Sequence, residues 1–230
     1  MIIIMNKVKV IPLRNLLKTV YFYGISYLDK KSFSNLELYI TSHGGVGTSF
    51  FIDYLSKFKK TNEAFDMTND LTKHLPVPPQ RMPRDLRIIY VFGDPVLATT
   101  SLFRRKYAHL ATCRIGSFGY ISESNDLAQY IELGQDSLGL NNHFKRWLNQ
   151  RWLNRQTLFI NYDKLWDYKN VIASFSGIPL EQFGDFPDKK QRKSNTLQLT
   201  PSQVSKLENI YKSYYDLMDK IGDYKILIPK

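Results

Sequence analysis

The 230-residue sequence has a single cysteine, Cys113, which excludes an intramolecular disulfide framework and a cysteine-rich zinc site. That is most simply an idle thiol in a reducing compartment, and the cytoplasm is the expected location. Long apolar runs are also missing. Met1–Met5 is apolar only as far as Asn6 and Lys7, and the stretch from Leu16 to Leu28 carries Lys18 and is broken by Gly24. Neither reaches the length of a signal-peptide core or a membrane span, so a soluble chain with no membrane span is expected. With 12 glycines and 10 prolines, a collagen-like or low-complexity chain is excluded. The four histidines, His43, His74, His109 and His143, show no metal-ligand spacing and no accompanying acidic cluster, so no metal site is expected. Acidic residues are in deficit: 21 Asp and Glu against 32 Lys and Arg give a net charge of +11, which favours an anionic partner or substrate.

What is present is 43% apolar and 23% charged, enough for one domain over residues 1–230 with a sizeable core. Leu36–Thr41 is a β-rich run that ends in Ser42-His43-Gly44-Gly45-Val46-Gly47-Thr48-Ser49, and Phe50, Phe51, Tyr54, Leu55 and Phe58 follow at helical spacing. The pattern predicts strand, glycine loop, helix. Residues 61–85 are polar and then proline-rich, which predicts a surface excursion. Leu86–Phe92 reads as a strand buried on both faces, Gly93-Asp94-Pro95 as its exit turn into a helix reaching about Arg105, and Thr157–Tyr162 as a third buried strand. Helices are expected near 125–133, 140–153 and 166–175, the last stopping at Gly177. A final one, capped by Thr200 with Pro201 at its first position, is expected to run unbroken to about Ile221. Alternation of strands and helices implies a three-layer α/β fold with a mostly parallel sheet. The turns at 42–49 and 93–95 both fall at carboxyl ends of strands, where such sheets bind ligands.

Three glycines in four residues let the 42–49 backbone turn its N–H groups inward, and Thr48 and Ser49 add hydroxyls at a helix N-terminus, where anions are favoured. The lysine of the Walker A pattern is absent, its position being taken by Thr48, so a conventional ATPase or GTPase is disfavoured. Asp94 reads as turn chemistry beside Pro95. Trp147, Trp152, Trp166 and Phe144 follow helical faces and read as core. Arg104-Arg105-Lys106 suits a helix C-terminus, while Tyr107, Phe118 and Tyr120 are candidates to line an acceptor site.

Gly47-Thr48-Ser49 resembles the Gly-Thr-Thr end of the phosphosulfate-binding loop of the sulfotransferase family. Arg87–Pro95 resembles that family's second motif, a strand ending in Arg-Asp/Asn-Pro, and Ser101 stands where the family keeps a serine for the 3′-phosphate. Asn161-Tyr162-Asp163-Lys164-Leu165, Val171–Ile178 and Gln191-Arg192-Lys193-Ser194 resemble later motifs in the same order, over roughly residues 35–225. The resemblance implies binding of 3′-phosphoadenosine 5′-phosphosulfate by Gly44, Gly45, Val46, Gly47, Thr48, Ser49, Ser101, Arg192 and Lys193. It also implies transfer of its sulfuryl group to a hydroxyl of a carbohydrate or small molecule. Two cations of the family pattern are missing, since its loop lysine aligns with Gly45 and its second-motif arginine with Gly93. His43 is the nearest candidate for the catalytic cation, if bound phosphosulfate raises its pKa; activity would then fall above neutral pH. His74 and His109 are candidates for a general base. Restoring both cations by Gly45→Lys with Gly93→Arg is the matching test for a catalytically degenerate scaffold, the first alternative. A basic nucleic-acid-binding protein is the second, although the charge is dispersed and no recognition element is apparent.

Overall fold

The computed structural model describes residues 12–63, 72–119, 121–122, 124–149, 153–184, 186–189 and 199–229. The chain enters through helix α1 (Leu13–Leu28) and forms strand β1 (Leu38–Thr41), then α2 (Thr48–Leu55). After β2 (Arg87–Phe92) come α3 (Pro95–Arg104), α4 (Ala108–Arg114), α5 (Leu127–Glu132) and α6 (Leu140–Leu148). Then follow β3 (Thr157–Asn161), α7 (Lys169–Ser176), α8 (Pro201–Ile210), α9 (Lys212–Ile221) and β4 (Tyr224–Leu227). The strands lie in the order β1-β2-β3-β4, the first three parallel and β4 antiparallel to β3. This is the expected three-layer α/β arrangement with a mostly parallel sheet.

Register places Tyr39, Thr41, Ile88, Tyr90, Phe92, Thr157 and Phe159 on one face of the sheet. Phe144 and Trp147 of α6 pack there, with ring centroids 5.6 and 5.3 Å from Tyr90. The aliphatic residues Ile40, Ile89, Val91, Leu158 and Ile160 alternate to the other face and are fully buried, which is why β2 and β3 read as continuous apolar runs. Asp94 caps α3 by accepting from the Leu97 amide at 2.9 Å, Gly177 closes α7 in the left-handed region, and Thr200 and Gln203 form a capping box on α8.

Three expectations change. The last helix is broken at Tyr211, a buried residue whose hydroxyl bonds to Thr99 Oγ1 and Tyr130 OH, both at 2.7 Å. β4, an exposed antiparallel edge strand, has no counterpart in the pattern reading. Over its described residues 72–82 the 61–85 segment is not a surface excursion: Thr72, Lys73, Leu75, Val77 and Met82 are all buried. An irregular segment can be buried only if its backbone polar groups find partners. Here side chains supply them. Tyr39 OH donates to Thr72 O, Thr41 Oγ1 to Lys73 O (2.7 Å), and His143 Nε2 and Trp147 Nε1 to Leu75 O (2.8 and 3.0 Å). Arg146 Nε donates to Pro76 O at 2.9 Å.

The start of the same segment extends the sheet. Thr61 bridges in parallel to Leu38, and the Asn62 side-chain amide pairs with both N–H and C=O of Ile40 (2.8 and 2.9 Å), imitating a strand on the outer edge of β1. The chain leaving β1 therefore returns to its outer side, whereas the chain leaving β2 passes to β3 on the other. The two connections part between β1 and β2, the switch point at which parallel sheets receive ligands.

Candidate functional site

Three strand ends meet beyond this switch point. Gly44, Gly45 and Gly47 of the 42–49 loop all have positive φ (+94°, +78° and +74°), a series of left-handed turns that a residue with a side chain adopts only under strain. Val46 packs against Gly93 after β2, and the Tyr162 ring after β3 covers Gly47. The loop is closed from the third side by α3, whose Ala98 backbone lies against Gly45 and whose Leu102 lies near Gly44.

Hydroxyls hold the loop's shape. Ser42 Oγ accepts from the Gly44 amide (2.9 Å) and shares a 2.6 Å hydrogen bond with Thr48 Oγ1. No side chain caps α2, and among the described residues the amides from Gly45 to Ser49 make no hydrogen bond with backbone or side chain. Successive amides in this conformation at a helix start form an anion-binding concavity.

The decisive addition comes from the segment that the sequence reading placed on the surface. Lys73, 1% exposed, extends Nζ to Ser49 Oγ at 2.6 Å, so a lysine stands at the first turn of α2 although the loop itself contains none. Its neighbour His74 donates from Nδ1 to Ser42 O at 2.7 Å. That bond orients the ring so that its Nε2 edge approaches Gly44. Gly44, His74, Leu102, Arg105, Tyr107 and Arg114 together line a small pocket beside the loop. No protein-family model, curated protein or solved structure matches the chain.

His43 is placed differently from what its sequence position suggests. It is fully buried: Nδ1 donates to Gly44 O (2.8 Å) and Nε2 accepts from Tyr214 OH (2.5 Å). Burial pushes its pKa down to about 4, so at neutral pH it is an uncharged strut between the loop and α9, not a cation at the loop mouth. His143 is likewise buried, with Nδ1 accepting from Tyr90 OH at 2.9 Å, and desolvation holds its pKa well below the usual histidine value.

A pH dependence follows. A histidine whose folded-state pKa is depressed supports the fold fully above its unfolded value of about 6.5. That support is lost as pH falls through the folded value, because the unfolded chain binds the proton first. For His43 the window runs from about 6.5 to about 4 and is worth about 3 kcal/mol at roughly 1.4 kcal/mol per pH unit. Urea denaturation at pH 7 and at pH 4.5 should show this loss, with a shallower fall in His43→Phe. Equal pH dependence in wild type and variant would rule out His43 as a source of the acid sensitivity.

Of the other sequence candidates, Gly44, Gly45, Val46, Gly47, Thr48 and Ser49 are brought together by the loop. Ser101 is half-buried on α3, the helix that closes the loop. Arg192 and Lys193 lie outside the described residues, as do Trp152 and Tyr120. Arg105 Nε caps the end of α3 by donating to Ser101 O at 3.2 Å, and Tyr107 sits beneath its guanidinium. Phe118 is exposed and stacks on Tyr23 of α1 instead of lining the pocket. Among the described residues no group of His, Cys, Asp and Glu is suited to hold a metal ion.

Proposed function

We propose that the 42–49 loop binds the phosphosulfate of a nucleotide and that the chain is a divergent sulfotransferase-type enzyme. Its donor is 3′-phosphoadenosine 5′-phosphosulfate and its acceptor a hydroxyl of a carbohydrate or small molecule. The observation that carries this reading is the Lys73–Ser49 contact: the cation missing from the loop sequence arrives from a neighbouring buried segment at the N-terminus of α2. In such a transfer the acceptor oxygen bonds to sulfur, the bond from sulfur to the bridging oxygen breaks, and the bisphosphate leaves with the added negative charge. Lys73 and the open amides of Gly45–Ser49 are positioned for that charge, where fixed donors act most strongly. His74, oriented by its Nδ1 bond to Ser42 O and lining the pocket, is assigned the acceptor's proton. Ser101, with Arg192 and Lys193, is assigned to the 3′-phosphate.

A second reading, an anion-binding scaffold without transfer, draws on the neutral burial of His43 and on the glycine at position 93. Calorimetric titration with adenosine 3′,5′-bisphosphate, adenosine 5′-monophosphate and ATP with magnesium tests ligand class. The bisphosphate should bind about tenfold tighter than the monophosphate or better, the scale of one charge-assisted hydrogen bond. Equal affinity for the two would remove the 3′-phosphate site. Preference for ATP with magnesium would return the loop to nucleoside-triphosphate chemistry, and tight bisphosphate binding with no sulfuryl transfer across an acceptor panel would select the scaffold.

A further inference from the structure

α1 is turned inside out. Its buried residues are Thr19, Phe22, Ile25 and Ser26, two of them polar, whereas Leu13, Leu17, Val20, Tyr21 and Leu28 are 70, 59, 56, 53 and 65% exposed. At 100° per residue these five positions fall on one stripe opposite the side that packs on α4. Arg14 and Lys18 border the stripe, and with Leu13, Leu17 and Tyr21 they line a shallow depression on it. A contiguous apolar stripe on a surface helix marks a binding face.

We infer that α1 is a membrane-surface helix whose stripe of Leu13, Leu17, Val20, Tyr21 and Leu28 inserts into the headgroup region of an anionic lipid bilayer, with Arg14 and Lys18 against the lipid phosphates. Charge decides the occupant. The first acidic residue of the sequence is Asp29, so Arg14 and Lys18, with Lys7 and Lys9 before them, have no acidic counterpart up to the end of α1. Two copies of α1 packed face to face would bring only cations together, whereas an anionic surface complements every one of them. The helix lies on the bilayer without crossing it: among the described residues no helix is long and apolar enough to span a membrane.

Co-sedimentation of the full chain with vesicles tests the inference. Binding is expected to vesicles of phosphatidylcholine mixed with phosphatidylglycerol. It should be at least about tenfold weaker to phosphatidylcholine alone, and it should drop when salt is raised to about 0.5 M, where screening shortens the reach of charge. Leu17→Glu with Val20→Glu should lower the affinity by about the same factor or more. Both positions are exposed, so circular dichroism and the melting temperature should stay at wild-type values. Leu180→Glu, at an exposed leucine elsewhere, should leave binding unchanged. The inference is overturned by absence of binding to the anionic vesicles or by unaltered binding of the double variant. It is equally overturned by a dimer in light scattering that the double variant dissociates, which would assign the stripe to a second copy.

Discussion

Lys73→Met is expected to remove most of the affinity for adenosine 3′,5′-bisphosphate while leaving the protein folded. Methionine keeps the length and apolar stem of lysine and deletes the group that reaches Ser49 Oγ at 2.6 Å. A hydrogen bond to a charged group contributes about 1.5–3 kcal/mol, so the dissociation constant should rise by about 10- to 150-fold. The effect on transfer should be larger, about 100- to 1000-fold in turnover, because the charge on the leaving phosphate exceeds that of the bound donor. Stability supplies the control. Lys73→Met deletes a buried hydrogen bond at Ser49 Oγ, so a melting temperature a few degrees below wild type is expected, with far-ultraviolet circular dichroism at the native helix content. Loss of binding with native circular dichroism, and larger than the loss in Ser49→Ala, separates a ligand-binding lysine from a structural one. If the bisphosphate binds Lys73→Met as tightly as wild type, Lys73 does not meet the phosphates. Ser49→Ala, which removes the hydroxyl and keeps the lysine, should have the smaller effect of the two.

The three parallel strands were legible because they are bounded by strong local signals: the apolar run of Leu86–Phe92, the glycine series after Thr41, and Asn161 following the Thr157–Ile160 run. The caps at Gly177 and Thr200 were legible for the same reason, each being a residue type chosen for one backbone geometry, whereas Asp94, which reads as turn chemistry, caps α3. Lys73 and His74 were not legible. They sit in a polar and proline-rich stretch that carries no period. What holds their segment against the core are hydrogen bonds to Thr72, Lys73, Leu75 and Pro76 from Tyr39, Thr41, His143, Arg146 and Trp147, whose periodic positions announce only that they face a core. A periodic pattern reports which face is buried, not which carbonyl a buried donor serves. The burial of His43 was not legible for a related reason. Sequence adjacency to the loop says nothing about a tyrosine 171 positions away, yet Tyr214 is what turns the ring inward. The signal available in the sequence was indirect: a loop with glycines and hydroxyls but no lysine asks for a cation from another segment.

Gly45→Lys, the change that would bring the family's loop lysine back to its aligned position, should destabilise the protein and restore nothing. A Cβ on Gly45 would stand 2.7 Å from Ala98 O and 2.9 Å from Ala98 Cα, and both are backbone atoms of α3 that no rotamer change can move. The residue also has φ +78°, where a side chain costs about 1–2 kcal/mol. Adding about 1–3 kcal/mol for overpacking gives roughly 2–5 kcal/mol even for Gly45→Ala. In a chain of this size that corresponds to a fall in melting temperature of roughly 4–20 °C. Gly47→Ala offers the contrast. Its Cβ would overlap the Tyr162 ring at 2.2 Å, but a ring can swing away. Tyr162→Ala should therefore recover much of the loss in a Gly47→Ala background and none of it in a Gly45→Ala background, a difference that a double-mutant cycle measures directly. Gly45→Ala with a wild-type melting temperature would mean that α3 does not close the loop as described. Gly45→Lys with transfer faster than wild type would mean that the cation belongs in the loop after all, and that Lys73 has another role.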